Sequence, residues 1–185
     1  GDFTNPEFRK KILKSIKGIL SITNLQIPLV IAGEEIRTKE SEPGSDPNKS
    51  GEIWYHYSIA DSFHIDKALR TAQEAVEEWE LLGAAGRGEL LYKAGEIMEA
   101  SRAQSLAVMA RDAGKTLAEA DPEITEAVDF ARYYATSSLT ATKGSASIGV
   151  VVVVPPWNFP YAIPLGGICA ALAAGNTVIF KPAPE

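Results

Sequence analysis

The sequence holds a single cysteine, Cys169, and only two histidines, His56 and His64. One cysteine cannot close an intrachain disulfide, which excludes a disulfide-stapled secreted domain and agrees with a reducing cytoplasm. Two histidines without clustered cysteines or carboxylates make no metal site, and both read as surface residues. No run of 18 apolar residues occurs, so no membrane-spanning helix is predicted. The polar N-terminus lacks the hydrophobic core of a secretion signal. Basic charge is not in excess either: 18 Lys and Arg against 24 Asp and Glu leave a net −6, which argues against a nucleic-acid surface. Asn48-Lys49-Ser50 matches a glycosylation sequon but carries no weight without secretion. The expectation is a cytoplasmic chain with small-molecule business. Its 185 residues, 45% of them apolar, suffice for one domain with its own core.

Apolar residues at Phe8, Ile12, Ile16, Ile19 and Leu20, with Arg9, Lys10, Lys11, Lys14 and Lys17 largely elsewhere, predict a basic amphipathic helix over 6–20. It is expected to dock on its own protein, with a membrane-surface anchor as the weaker alternative. Pro28–Ala32 and Ile36–Thr38, around Gly33-Glu34-Glu35, read as a hairpin-like arm. Lys39 to Gly51 reads as a loop and Glu52–Ile59 as an aromatic-rich strand. Four helices follow. The first, capped by Asp61 or Ser62, should bury Ile65, Ala68, Leu69, Ala72, Val76 and Trp79. The second repeats the pattern through Leu90, Leu91, Ala94, Ile97, Met98 and Ser101. The third, about Ala103 to Ala113, stops at Gly114. The fourth, about Glu119 to Leu139, should bury Ile124, Ala127, Val128, Ala131 and Ala135.

The character changes at Ser147. Ile148 to Val154 is a continuous β-branched run, as expected of a strand covered on both faces in a parallel sheet. Pro155-Pro156 ends it. Tyr161 to Ala174 is small and apolar nearly all round, Gly175-Asn176 closes it, and Thr177–Phe180 forms a second short strand. Strand, helix, strand makes a βαβ unit, the building block of doubly wound nucleotide-binding sheets. The predicted class is therefore α/β: a helical lead-in plus the first βαβ unit of a parallel sheet. The divisions are 1–27 as a linker and amphipathic helix, 28–60 as a β-arm, and 61–185 as the first part of a cofactor-binding domain. Because the last strand would still need a neighbour, the chain is expected to be a fragment, or to be completed by a partner.

Ligands of open α/β sheets bind beyond the carboxyl ends of the strands. Asn158 follows the first strand and Lys181 the second, so the two can face one crevice. On these residues alone, a turn before Pro160 and a solvated strand end are the stronger readings. The wider pattern adds to them. Pro156-Trp157-Asn158-Phe159-Pro160, then Ala171-Leu172-Ala173-Ala174-Gly175-Asn176, then Lys181-Pro182-Ala183, occur in that order and separation. Upstream lie Asp66-Lys67-Ala68-Leu69, Ala72, Ala75, Trp79 and the Gly114-Lys115-Thr116 turn. From about Pro28 to Glu185 the chain resembles the aldehyde dehydrogenase superfamily.

That resemblance implies an NAD(P)-dependent oxidation. A cysteine thiolate attacks an aldehyde, and the thiohemiacetal oxygen gathers negative charge. Asn158 would donate its side-chain amide to that oxygen, Lys181 would reach the adenosine ribose hydroxyls, and backbone atoms near Pro155, Pro156 and Trp157 would run along the cofactor. A glutamate then activates water to release the acid. The nucleophile and that glutamate would lie beyond residue 185, so the piece alone is expected to be inactive. One departure concerns the cofactor: many NAD-using members have a glutamate three residues after the lysine, where this chain has Pro184, with Glu185 one residue late. NAD is expected and NADP stays open.

Cys169 sits between Ile168 and Ala170 in an apolar helix and reads as a core residue, not the nucleophile. Gly114-Lys115-Thr116 imitates the end of a phosphate loop, but Met109 stands where the earlier glycine belongs. The stretch from Arg111 through Leu117 and from Glu126 to Ala135 resembles the glutamate-semialdehyde (Δ1-pyrroline-5-carboxylate) dehydrogenase branch. It is nearest the module found in bifunctional proline utilisation A, where an upstream proline dehydrogenase domain shares the polypeptide. Phe130, Tyr133 and Tyr134 in that stretch are more often helix packing than substrate contacts. The resemblance implies a homo-oligomeric parent acting on a small-molecule aldehyde. The alternatives are another semialdehyde or broad-range aldehyde dehydrogenase, or a non-catalytic nucleotide-binding or assembly module.

Overall fold

The computed structural model describes residues 1–184. Glu185, the acidic residue weighed above for cofactor choice, lies outside the described residues. Helix α1 (Pro6–Leu20) starts where the Asn5 side chain accepts the backbone N–H groups of Glu7 and Phe8, with Pro6 just inside. It docks as expected. Ile12 joins Leu106, Met109, Ala120, Ile124 and Val128 in one buried cluster. No helix among the described residues is long and apolar enough to cross a membrane.

The arm holds more strand than its sequence suggests. β1 (Leu25–Ile27), β4 (Ser41–Ser45) and β5 (Ile53–Ser58) form a sheet in the order β1-β5-β4. β1 carries no signal in three residues, and β4 occupies the stretch expected to be loop. Its sequence, Ser-Glu-Pro-Gly-Ser, is poor strand material, but its partner compensates. Gly44 pairs with Tyr55, and a Cβ on Gly44 would stand 1.8 Å from the Tyr55 ring. The ring covers the glycine, and Pro43 is tolerated because β4 is an edge strand. β2 (Leu29–Ile31) and β3 (Glu34–Ile36) make the expected hairpin, but the turn is Ala32-Gly33, both at positive φ. Glu34 and Glu35 are therefore strand residues, not turn residues.

Arg111 ties this arm to the helices. Its buried guanidinium donates to the carbonyls of Ile19 and Ile22 and to Glu52, and it lies 4.4 Å over the Trp54 ring. His56, expected at the surface, is half-buried on the central strand.

The expected first helix breaks at Ala75 into α2 (Ser62–Glu74, capped by Asp61) and α3 (Val76–Leu81). Its predicted stripe is only partly inside. Ala72 is buried, whereas Ile65 is 59% exposed and Leu69 is exposed too. In α4 (Gly83–Ala100) Leu91 is buried but Leu90 and Ile97 face outward. Small residues make the real contact. A Cβ on Gly88 would meet the Ala135 carbonyl oxygen at 2.8 Å, so α4 lies against α6 (Leu117–Ala141) nearly backbone to backbone. α5 (Arg102–Asp112) ends before left-handed Gly114 as expected. Thr116 then caps α6 in a reciprocal capping box with Glu119. All five residues predicted to be buried on α6 are buried.

The βαβ unit is present: β6 (Val150–Val153), α7 (Ala162–Ala173) and β7 (Thr177–Phe180), with the strands parallel and Val153 opposite Phe180. Cover on the second face is only partial, with α2 reaching it where Thr177 bonds to Ala72. α7 packs on one side, while Val152 is 58% exposed and Val154 is exposed as well.

Candidate active site

One end of the βαβ unit, where both strands begin and α7 stops, is locked by buried polar side chains. At the start of β6 the Asn176 side-chain oxygen accepts from the N–H groups of Ile148 (2.8 Å) and Gly149 (3.2 Å), while its amide donates to Ala171 (3.2 Å). At the C-terminus of α7 the buried Arg87 donates to the Ala173 carbonyl (3.2 Å), where the helix dipole favours a cation. Trp79 donates to Leu172 (2.9 Å) and the Thr177 hydroxyl to Ala72 (2.8 Å). These bonds hold α7 and β7 to α2, α3 and α4. The opposite edge, where both strands end, is left free to carry a site.

Because β6 and β7 run parallel and in register, their following residues leave the sheet side by side. The Lys181 backbone N–H donates to the Val153 carbonyl (3.0 Å), and its side chain is exposed. On the neighbouring strand Pro155 and Pro156 stop the ladder, since neither has an N–H to give. Trp157 and Asn158 follow, both exposed. Among the described residues neither the Asn158 amide nor the Lys181 ammonium has a hydrogen-bond or ion-pair partner. Pro155, Pro156 and Trp157 line a cleft of about 550 Å³ whose other wall includes Tyr55 and Asp112. Asn158 and Lys181 are not among its lining residues. The structure thus brings the five predicted residues to one edge of the sheet but puts only three of them on the cleft.

Burial holds the Asp112 acid above its ordinary range, opposed by a hydrogen bond from Tyr55. Burial and the nearby Asp112 push the Tyr55 phenol up as well. Cys169 is buried in α7, and burial alone pushes its thiol up to about 11. It therefore stays protonated and inert at neutral pH. The Lys115 of the phosphate-loop mimic pairs with a carboxylate, Glu123. Among the described residues no group of three or more His, Cys, Asp or Glu side chains is placed to hold a metal ion.

Glu123 is the residue that sequence reasoning missed. It is 3% exposed, on α6. One carboxylate oxygen accepts the N–H groups of Tyr161 (2.8 Å) and Ala162 (3.1 Å), and the other pairs with Lys115. The signal was present: residues 120, 123, 124, 127, 128 and 131 form one buried stripe, and Glu123 is its only charged member.

Residues 36–185 match the model of the aldehyde dehydrogenase family. The chain belongs to that family. A 1-pyrroline-5-carboxylate dehydrogenase of Staphylococcus saprophyticus is 36% identical over 201 residues, covering all of this chain and 38% of the relative. A namesake from a Geobacillus species is 33% identical over 98% of the chain and again 38% of the relative. Among solved structures, an R100A mutant of Thermus thermophilus 1-pyrroline-5-carboxylate dehydrogenase superposes with a TM-score of 0.94 at 30% identity, over 99% of this chain and 38% of that one. Proline utilization A (PutA) from Bdellovibrio bacteriovorus also gives 0.94, at 32% identity, over 100% of this chain and 21% of that one. A further Thermus structure of the same dehydrogenase contains bound NAD. The chain therefore spans just over a third of the length of the dehydrogenases it matches. The expected fold class, the N-terminal part of the aldehyde dehydrogenase fold with helices and a parallel strand pair, is what the structure contains.

Proposed function

We propose that the full-length protein oxidises L-glutamate γ-semialdehyde (Δ1-pyrroline-5-carboxylate) to glutamate with NAD, and that this segment supplies the oxyanion donor and part of the cofactor crevice. The observation that carries the reading is the register of β6 and β7. It puts Asn158 and Lys181, both without partners among the described residues, beyond adjacent parallel strand ends, where α/β sheets bind nucleotides. An unpaired ammonium at that position suits the ribose hydroxyls of a dinucleotide, and the backbone of Pro155, Pro156 and Trp157 can flank it. When bound, NAD supplies the hydride acceptor. Asn158 offers an amide N–H to the oxygen that gains charge as the aldehyde carbon becomes tetrahedral. Pro184 leaves NADP acceptable, since no carboxylate stands there to repel a 2′-phosphate.

We place the protein in the cytoplasm as a homo-oligomer acting on a small-molecule aldehyde. An upstream proline dehydrogenase domain in the same polypeptide suits the length of the PutA relative. The test is to follow reduced-cofactor absorbance with glutamate γ-semialdehyde and the full-length protein. Turnover is expected. Asn158→Ala should cut it by roughly 10²–10³ without weakening cofactor binding. Lys181→Ala should weaken cofactor affinity by about tenfold or more and spare turnover, because its bonds are the same before and during hydride transfer. Turnover of other aldehydes only would move the substrate class. No turnover of any aldehyde would favour the non-catalytic module.

A further inference from the structure

We infer that Glu123 and Lys115 together position the turn that carries Asn158, and so act in catalysis through it; this rests on the role proposed for Asn158. A carboxylate inside a helix–helix interface is costly unless it is paired and hydrogen-bonded. Glu123 is both, and each partner lies on or beside the same short turn. Its first oxygen accepts from Tyr161 and Ala162, at the start of α7, where Tyr161 offers no side-chain cap of its own. Those N–H groups would otherwise be among the orphans of a helix N-terminus. A side chain from a helix nearly forty residues upstream caps them instead.

The second oxygen pairs with Lys115. That ammonium lies 4.4 Å over the ring of Phe159, the residue next to Asn158. One ion pair thus holds the turn at two points, a ring at Phe159 and two backbone amides at 161 and 162. Asn158 sits immediately before the first. Among the described residues the Asn158 amide has no hydrogen-bond partner, so its direction depends on the backbone that these two points fix. An oxyanion donor is effective only when preorganised, and a misplacement of about 1 Å can cost a hundredfold in rate.

The experiment is a double-mutant cycle in the full-length protein, joined to hydrogen exchange. Glu123→Gln keeps an acceptor for the amides but removes the charge that holds Lys115. Lys115→Met removes the ammonium from Phe159, and Lys115→Arg should restore most of what Lys115→Met loses. Glu123→Gln is expected to lower kcat by about tenfold to a hundredfold and leave the cofactor dissociation constant, set at Lys181, unchanged. In an Asn158→Ala background it should lower kcat no further, because the residue it acts through is gone. Hydrogen exchange at Tyr161 and Ala162 should quicken while exchange within α5 does not. Equal kcat losses in both backgrounds would make Glu123 a structural residue and overturn the inference. So would unchanged exchange at 161 and 162. If Asn158→Ala itself spares kcat, the oxyanion reading falls, and the claim that Glu123 fixes this turn is then decided by exchange alone.

Discussion

The helical layer and the β6–β7 pair differ in how fully their apolar residues are covered. Where α4, α6 and α7 meet, the packing leaves no slack. Leu91, Ala131, Ala135, Cys169 and Ala173 form one buried cluster, and Gly88 touches the backbone of Ala135. Beside it stands a two-stranded parallel sheet with Val152 open to solvent, as are Ile148 and Val154 on the segments flanking β6. Parallel strands normally have both faces covered. The contrast teaches that an apolar run records how much cover a strand is built for, while neighbours decide how much it has. It also separates stability from function: the closed layer fixes the position of α7, and the open edge presents the side chains proposed to do chemistry.

The contrast can be tested by substitution. The largest effect should come from Ile124→Ala, at a fully buried position: about 2–5 kcal/mol lost in chemical denaturation. A loss under about 1 kcal/mol would mean that the layer is loosely packed. Gly88→Ala comes next, at about 1–3 kcal/mol, since the new methyl group must push α4 off α6. An unchanged melting temperature would deny the close approach. Asp112, on the cleft wall, gives a pH test. Burial raises its folded-state pKa above the ordinary 3.8, so the folded state holds the proton more tightly. The stability this group contributes is full below the unfolded pKa and is lost as pH rises through the folded one. Asp112→Asn should flatten that decline, and a stability–pH curve parallel to wild type above about pH 4 would contradict the burial argument. The smallest effect belongs to the open face: Val152→Thr should change stability by less than about 0.5 kcal/mol. A cost of about 1 kcal/mol or more would show that something covers the face in solution.

The sequence was most legible where one residue type repeats at one period. The α6 stripe, the docking of α1, the parallel pair and the core position of Cys169 could all be read this way. It was least legible where a partner supplies what the segment lacks. β4 exists because Tyr55 covers Gly44, and no local propensity records that. Ile65, Leu69 and Leu90 carry the spacing of a buried face but look outward, while glycines with no hydrophobic signal make the closest helix contact. Asn158 and Lys181, the proposed site residues, are marked in the sequence by their motif and their strand-end positions. Glu123 was overlooked because a glutamate in a helix is ordinarily a solvated residue. Only its place on the buried stripe marks it out.

Arg111 has a consequence for how the chain is made. Its bond to the Ile19 carbonyl spans 92 residues, and the cluster that receives Ile12 is completed by residues from α5 and α6. At a synthesis rate of about 5–20 residues per second, α1 leaves the ribosome roughly 5–18 seconds before Arg111 exists to hold it. During that interval the basic helix lacks the α5 and α6 residues that cover its apolar side in the finished fold. This helix is therefore synthesised well before the residues that secure it. The moment at which it is secured is thus set by connectivity and not by the stability of the finished fold.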